Sequence, residues 1–346
     1  MKAETPDQPR ILVVQTAFLG DVVLTTPLLA ALRSRFPDCY LAFLGTPSGT
    51  ELIRGLTGVD EFLVYDKRGG EGGLGGLRQK VRELKKYNFE IALSAHRSAR
   101  TAALLALAGI PRRIGFATSA LPWLYHQRAP RDPAQHEVLR NLALLDPLGG
   151  PGEGFKPRLR LPALPEVGRE LLGEEQSGPR VGICPGSVWP TKRWRAEGFS
   201  RVAERLHEES GASIYLIGAR EDQAAAEAVE HSMKCRALNL AGRTSLREWL
   251  ALIAAMDLVI TNDSSPTHLA SALGVPVVAI FGPTTPAQGF APWGNHHRIV
   301  ETNGLGCRPC GEHGARRCPE GHMKCMNLIR PEAVLSAAVG LLRENS

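Results

Sequence analysis

No apolar run in this chain approaches the ~18 residues that would cross a bilayer, and aromatic residues make up only 6% of it. The scarcity of aromatics among its basic residues argues against a platform that stacks nucleic-acid bases. The dinucleotide fingerprint G-x-G-x-x-G is missing after the first strand, and G-x-x-x-x-G-K-[ST] is missing throughout. Those two absences speak against a nicotinamide enzyme and a phosphate-loop hydrolase. The opening MKAETPDQPR is polar and runs straight into a strand, so no secretory signal is expected. Seven cysteines in such a chain point to reduced thiols rather than a disulfide framework.

The 346 residues, 43% hydrophobic and 22% charged, suit an ordinary globular protein of two domains. Charge is unevenly spread. Residues 1–165 carry 22 Lys and Arg against 15 Asp and Glu, whereas residues 166–346 carry 19 against 20. The excess peaks at Lys67–Lys86, with seven basic and two acidic residues. A basic first half suits an anionic partner such as phosphates or a membrane surface, though a solvated helix face would read the same way.

Strand and helix patterns alternate in two runs. The first has strands at Arg10–Gln15, Tyr40–Leu44, Glu61–Tyr65, Ile91–Ser94 and Arg113–Gly115, and helices at Asp21–Phe36, Glu51–Leu56, Leu77–Tyr87, Arg97–Ala108 and His136–Leu145. Gly69–Gly76 reads as a loop too rich in glycine for a regular element. A Pro-, Gly- and Glu-rich stretch follows, with the linker expected near 160–178. The second run has strands at Arg180–Cys184, Ser213–Ile217, Ala237–Asn239, Leu258–Thr261 and Val277–Phe281, separated by helices, and a closing helix at Pro331–Glu344. Such alternation implies an α/β protein of two doubly wound parallel-sheet domains, 1–165 and 166–346, expected to face a cleft.

Chemistry-bearing residues fall where strands end. The stretch LVITNDSSPTHLASALGVPVVAIFGPT, 258–284, is a βαβ unit with Asp263, Ser264, Ser265 and His268 at its strand-to-helix turn. Unpaired N–H groups and the helix dipole favour an anion there. The plain alternative is an N-cap and a structural histidine. Ser187 and Lys192 lie in CPGSVWPTKRW, 184–194, after another strand, where cations could neutralise a departing diphosphate. Asp222 follows a third strand, a position suited to ribose hydroxyls or equally to helix-dipole placement. Asp21, after the first strand, could take a proton from a hydroxyl or simply cap its helix. Cys307, Cys310, Cys318 and Cys325 form C-x2-C-x7-C-x6-C, which suits a small structural zinc site, with reduced or redox-active thiols as the alternative. No basic recognition helix adjoins them, which argues against a zinc-dependent nucleic-acid protein.

Three stretches in this order, ILVVQTAFLGDVVLTTPLLAALRSRFP, GICPGSVWPTKRW and NLAGRTSLREWLALIAAMDLVITNDSSPTHLASALGVPVVAIFGPT, resemble bacterial lipopolysaccharide heptosyltransferases of glycosyltransferase family 9, closest to the heptosyltransferase II branch. The resemblance covers Arg10 to about Arg343. It implies a GT-B architecture of two Rossmann-like domains and an inverting, metal-independent transfer that requires no cofactor. The donor would be ADP-L-glycero-D-manno-heptose, and the acceptor a lipid-A-linked inner core carrying one heptose. It further implies a cytoplasmic enzyme, peripheral to the inner face of the inner membrane and without a nucleic-acid partner. By the same resemblance Asp21 would be the general base, with Lys192 binding phosphate. Ser187, Asp222, Thr244, Asp263, Ser264, Ser265 and His268 would bind the donor. Lys67, Arg68 and Arg97 are expected to hold the acceptor. Ser265-Pro266 departs from the family's usual pair after the Asp-Ser element, which bears on donor selectivity. The alternatives are another nucleotide sugar, or a non-catalytic module binding nucleotide or lipid-A precursors.

Overall fold

A computed structural model describes residues 8–164, 166, 169–172, 178–294 and 296–344, and the chain divides into two compact units, Met1–Ala163 and Leu164–Ser346. Unit 1 contains β1 (Arg10–Gln15), α1 (Leu19–Arg35), β2 (Tyr40–Gly45), α2 (Pro47–Ile53), β3 (Glu61–Val64), α3 (Gly73–Lys85), β4 (Ile91–Ser94), α4 (Ala99–Leu107), β5 (Arg112–Phe116), β6 (Gln127–Ala129) and α5 (Glu137–Ala143). Unit 2 contains α6 (Arg169–Leu172), β7 (Arg180–Cys184), α7 (Ala196–Ser210), β8 (Ser213–Leu216), α8 (Gln223–Ser232), β9 (Ala237–Asn239), α9 (Leu246–Ala254), β10 (Leu258–Asn262), α10 (Ser265–Leu273), β11 (Val277–Phe281), β12 (His297–Glu301), α11 (Lys324–Asn327) and α12 (Pro331–Glu344). Of the expected linker, residues 165, 167, 168 and 173–177 lie outside the described residues.

Each unit carries one six-stranded sheet, ordered β3-β2-β1-β4-β5-β6 in the first and β12-β11-β10-β7-β8-β9 in the second, with every strand pair parallel. Both follow the Rossmann order, in which the winding direction reverses beside the first strand. The reversal lies between β1 and β4 in unit 1 and between β7 and β10 in unit 2. Central strands of such sheets are covered on both faces and read as unbroken apolar runs. Ile11, Leu12, Val13 and Val14 are fully buried, as are Val278, Ala279, Ile280 and Phe281. The carboxyl ends of the strands at each reversal open onto loops rather than onto core, and ligands in this fold class gather there.

Two local expectations are corrected. The glycine run is no loose loop, because α3 already begins at Gly73 and residues 66–72 are tied down. Buried Lys80 reaches Glu71 (3.0 Å) and Glu83 (2.7 Å), and its ammonium also donates to the Val64 carbonyl. The Glu71 carboxylate accepts the Asp66 N–H (2.8 Å), and a Cβ on Gly76 would stand 2.1 Å from the Glu71 carbonyl oxygen. Glycine here permits a close chain approach rather than freedom. The second helix starts at Pro47, not Glu51: Thr46 caps it by accepting the Gly49 N–H at 3.2 Å, with proline at the favoured first position. Edge strands β6 and β12 extend the sheets beyond the strands that the pattern suggested.

Candidate functional site

In unit 2, the loops after β10, β7 and β8 lie side by side because those strands are neighbours. Asn262 at the end of β10 binds the first two of these loops together. Its side-chain amide donates to the Pro185 carbonyl (2.8 Å), and its oxygen accepts the Trp194 N–H (3.0 Å). Lys192, in a single 3-10 turn of the β7 loop, then meets Asp263 at 2.6 Å. Thr284, just past β11, donates its hydroxyl to the same carboxylate oxygen at 2.5 Å. Asp263 and Lys192 are 6% and 12% exposed as side chains, so this ion pair is largely withdrawn from water. Two charge-assisted contacts therefore meet on one carboxylate oxygen.

Asp263 stands immediately before α10, whose N-cap is Ser264. Ser264 makes no side-chain cap; its hydroxyl instead donates to the Asn262 carbonyl (3.3 Å). Ser265 is the first helical residue, and Pro266 removes one of the donors that a helix N-terminus ordinarily presents. His268 is buried one turn in. Ser187 is also buried, and its hydroxyl oxygen accepts the Trp189 N–H (3.3 Å), which bends the loop that carries Lys192.

Asp222 is half-buried between the β7 and β8 loops. Its carboxylate accepts the Ala219 N–H (3.1 Å) and lies where a Cβ on Gly186 would be 1.9 Å away. Burial raises its carboxyl above the usual range, while the Ala219 N–H and the Arg193 charge pull it back. The neighbouring Glu221 is exposed. Thr244 lies beyond edge strand β9, one residue before the Ser245 cap of α9.

In unit 1 the corresponding loops gather a second set. Asp21 sits in the first turn of α1 and accepts the Phe18 N–H at 3.1 Å. Burial, and next the negative charge of Glu137, push its carboxyl up to about 6; the Phe18 N–H and Arg131 act in the opposite direction. Glu137 is itself buried and held by Arg131 (2.5 Å) and Arg140 (3.0 Å). Lys67 donates to the Thr16 hydroxyl (3.2 Å), which pairs with His96 Nδ1 (2.9 Å), which lies 3.0 Å from the Thr101 hydroxyl. Burial and the neighbouring Arg68 and Arg100 lower Lys67 to about 8. Burial and Lys67 lower His96 to about 4, so the imidazole is neutral at pH 7. Arg68 lies over the Phe18 ring, 5.6 Å from its centroid, and Arg97 is half-buried in the β4 loop.

Lys67 and Arg68 thus border the loop that leads into Asp21, at Thr16 and Phe18, while Arg97 lies in the β4 loop beside it in the sheet order. Sequence reasoning missed Thr16, His96, Arg131 and Glu137 in unit 1, and Asn262 and Thr284 in unit 2. The last two were within reach, since both flank the Asp-Ser and Gly-Pro-Thr turns already singled out. The four C-terminal cysteines are free thiols, and no three His, Cys, Asp or Glu side chains among the described residues stand in metal-ligand geometry.

The sequence profile described as glycosyltransferase family 9 (heptosyltransferase) matches residues 77–321. Lipooligosaccharide heptosyltransferase 2 of Campylobacter jejuni is 27% identical over 341 residues, covering 97% of this chain and 99% of the relative. Lipopolysaccharide heptosyltransferase 2 of Escherichia coli K12 is 27% identical over 355 residues, covering 96% and 98%. Among solved structures, a family 9 glycosyl transferase from Veillonella parvula superposes with a TM-score of 0.86 at 26% identity, covering 99% of each chain.

Proposed function

The chain belongs to glycosyltransferase family 9, and from that premise we propose that it transfers L-glycero-D-manno-heptose from ADP-heptose to the inner core of lipopolysaccharide, adding the second heptose. The reaction class and the core acceptor follow the two heptosyltransferase 2 relatives, which span nearly the whole chain. The observation that carries the reading is the Lys192–Asp263–Thr284 cluster beside the N-terminus of α10. A buried ammonium and a helix N-terminus together form an anion site at the sheet's switch point.

Each of the two residue sets has a role in this chemistry. Asp21 takes the proton from an acceptor heptose hydroxyl as its oxygen attacks the anomeric carbon of the donor. The bond from that carbon to the β-phosphate oxygen breaks, and the configuration inverts. A carboxylate with a pKa of about 6 is a stronger base than an ordinary aspartate, yet mostly ionised at pH 7. Lys192 and the α10 N-terminus, through Ser264 and Ser265, neutralise the charge gathering on ADP. Ser187 shapes the Lys192 loop. Asp222 takes the ribose hydroxyls, Thr244 lies toward the adenine, and Asp263 and His268 support the phosphate turn. Side-chain cations and a helix terminus do this work without a catalytic metal.

Lys67, Arg68 and Arg97 hold anionic groups of the lipid-A-linked acceptor. No helix of the described residues is long and apolar enough to cross a membrane. On the reading proposed here the acceptor is lipid-linked, and the enzyme works on it as a peripheral protein at the cytoplasmic face of the inner membrane. Exposed Arg78, Arg82, Lys85 and Lys86 on α3, with Leu74 at its start, are suited to anionic headgroups.

The test is mass spectrometry of acceptors carrying no heptose or one heptose after incubation with ADP-heptose. A single added heptose on the one-heptose acceptor is expected. Transfer only to the heptose-free acceptor, or only from a UDP- or GDP-linked sugar, overturns the assignment.

A further inference from the structure

The β4 loop of unit 1 is pinned to β1 at the point where the winding reverses. The Ala95 N–H (3.0 Å) and the His96 N–H (3.3 Å) both donate to the Val14 carbonyl. The Ser94 hydroxyl donates to the His96 carbonyl (2.8 Å). Ser98 caps α4 by accepting the Thr101 N–H (3.2 Å), and the Ser98 and Thr101 hydroxyls lie 3.0 Å apart. The backbone of His96 is therefore fixed on both sides, at a place where ligands of this fold class gather.

Its ring is held through one nitrogen alone. Nδ1 lies 2.9 Å from the Thr16 hydroxyl and 3.0 Å from the Thr101 hydroxyl. An ammonium donates and never accepts, so Thr16 Oγ1 is the acceptor toward Lys67 (3.2 Å). Thr16 is buried, and His96 Nδ1 is the one acceptor among the described residues for its hydroxyl proton. A proton on Nδ1 would leave that buried hydroxyl with nothing to donate to, which folded proteins avoid. Nδ1 therefore accepts, and the ring proton sits on Nε2. Burial and the charges of Lys67, Arg97 and Arg68 lower the imidazole to about 4, which keeps it neutral at pH 7. The residue is only half-buried, and nothing among the described residues accepts from Nε2, which stays in contact with solvent.

The result is a single N–H of fixed direction that carries no charge, set among three cations. Lys67, Arg68 and Arg97 suit negative charge, whereas a neutral donor suits the lone pair of an uncharged oxygen. Thr16 directly follows β1 in the loop that leads to Asp21, so the ring is fastened to the chain that carries the base.

We propose that His96 donates its Nε2 hydrogen to a non-reacting hydroxyl oxygen of the acceptor sugar, and so selects and orients that sugar while the neighbouring cations take the acceptor's anionic groups. Thr16 is a positioning residue, since it acts through the ring. Lys67 spends one of its three N–H groups on Thr16 and keeps two for an anion. The contact with the sugar rests on the reading of unit 1 as the acceptor's half; the tautomer does not.

The tautomer is read first, in full-length protein labelled with 15N at histidine, by long-range proton–nitrogen correlation. The His96 signals are those absent from His96→Phe. A bare Nδ1 and a protonated Nε2 are expected, unchanged from about pH 5.5 to 8. A proton on Nδ1, or a ring that titrates in that range, overturns the assignment. Transfer from ADP-heptose is then timed with the one-heptose acceptor and with analogues that each lack one non-reacting hydroxyl of that heptose. Wild type should lose about tenfold in kcat/KM on one of these analogues. His96→Phe should raise the acceptor KM about tenfold, with kcat and ADP affinity nearly unchanged, and should no longer tell that analogue from the parent. Thr16→Val keeps the ring and removes the hydroxyl; it should show both tautomers and a KM between those of wild type and His96→Phe, so the test survives if the phenylalanine variant does not fold. Equal losses by wild type and His96→Phe on every analogue, or a fall in kcat alone, overturn the contact. An unchanged tautomer in Thr16→Val overturns the positioning role. Failure of wild type to use the one-heptose acceptor overturns the acceptor reading and the contact with it, whereas the spectrum still decides the tautomer.

Discussion

Replacing Asp21 by asparagine separates the cost of this carboxylate from its use. The native carboxyl titrates near 6 rather than 3.8 because it is buried and faces Glu137. The folded state therefore holds the Asp21 proton more tightly than the unfolded chain does. This group's contribution favours folding below pH ~4 and is lost as pH rises through about 6, so at pH 7.5 the full penalty is present. A shift of this size is about 3 kcal/mol at 1.36 kcal/mol per unit. Asp21 is half-buried rather than fully enclosed, so about 1–2 kcal/mol is the reasonable expectation after solvent screening. Asparagine keeps an oxygen for the Phe18 N–H that Asp21 now accepts at 3.1 Å. Asp21→Asn should thus unfold about 2–8 °C higher than wild type at pH 7.5, with the gap closing toward pH 4. Its transfer rate should fall by about 10²–10⁴ with ADP affinity unchanged, because the proposed general base is gone. Scanning fluorimetry from pH 4 to 8 and a timed transfer assay read both effects. A variant no more stable than wild type at pH 7.5 refutes the electrostatic argument, and one within tenfold of wild-type rate refutes the base.

Lys192→Ala should weaken ADP binding by at least about tenfold in calorimetry and slow transfer as well; unchanged affinity would remove it from the phosphate site. Wild-type transfer should rise through an apparent pKa of about 6 as Asp21 ionises, and a flat acid limb would contradict that. The acceptor KM should climb above pH ~8 as Lys67 loses its proton, a trend that Lys67→Ala should abolish. Lys80→Met leaves Glu71 and Glu83 without their shared cation and should cost about 3 kcal/mol in urea unfolding, with ADP binding by unit 2 retained below the transition.

Where the sequence was legible, one strand or one turn carried the information. Arg10–Gln15, Arg180–Cys184 and Val277–Phe281 announce themselves as apolar runs with turn residues at their ends, and all three sit at those bounds. Features that depend on distant partners were not legible. The glycine run at 69–76 looked unstructured because its organiser, Lys80, lies on the helix it starts. Strand β6 is three residues long and β12 half-buried along its length, so neither shows a core face or a clean alternation. The positions of Asp21 and Lys192 just past β1 and β7 were readable from their motifs. Their electrostatic settings were not, since Glu137 reaches Asp21 from α5 and Lys192 meets Asp263 across 71 positions. The Lys67–Thr16–His96 network joins three strand ends up to 80 positions apart, and only the sheet order brings them together.

The place where the donor diphosphate binds is read in one measurement by a crystal structure with ADP. The phosphates should lie within about 3 Å of Lys192 Nζ and of the first backbone N–H groups of α10, with the ribose toward Asp222. A diphosphate seated on Lys67 and Arg97 of unit 1, with the Lys192–Asp263 pair undisturbed and unoccupied, would contradict the account.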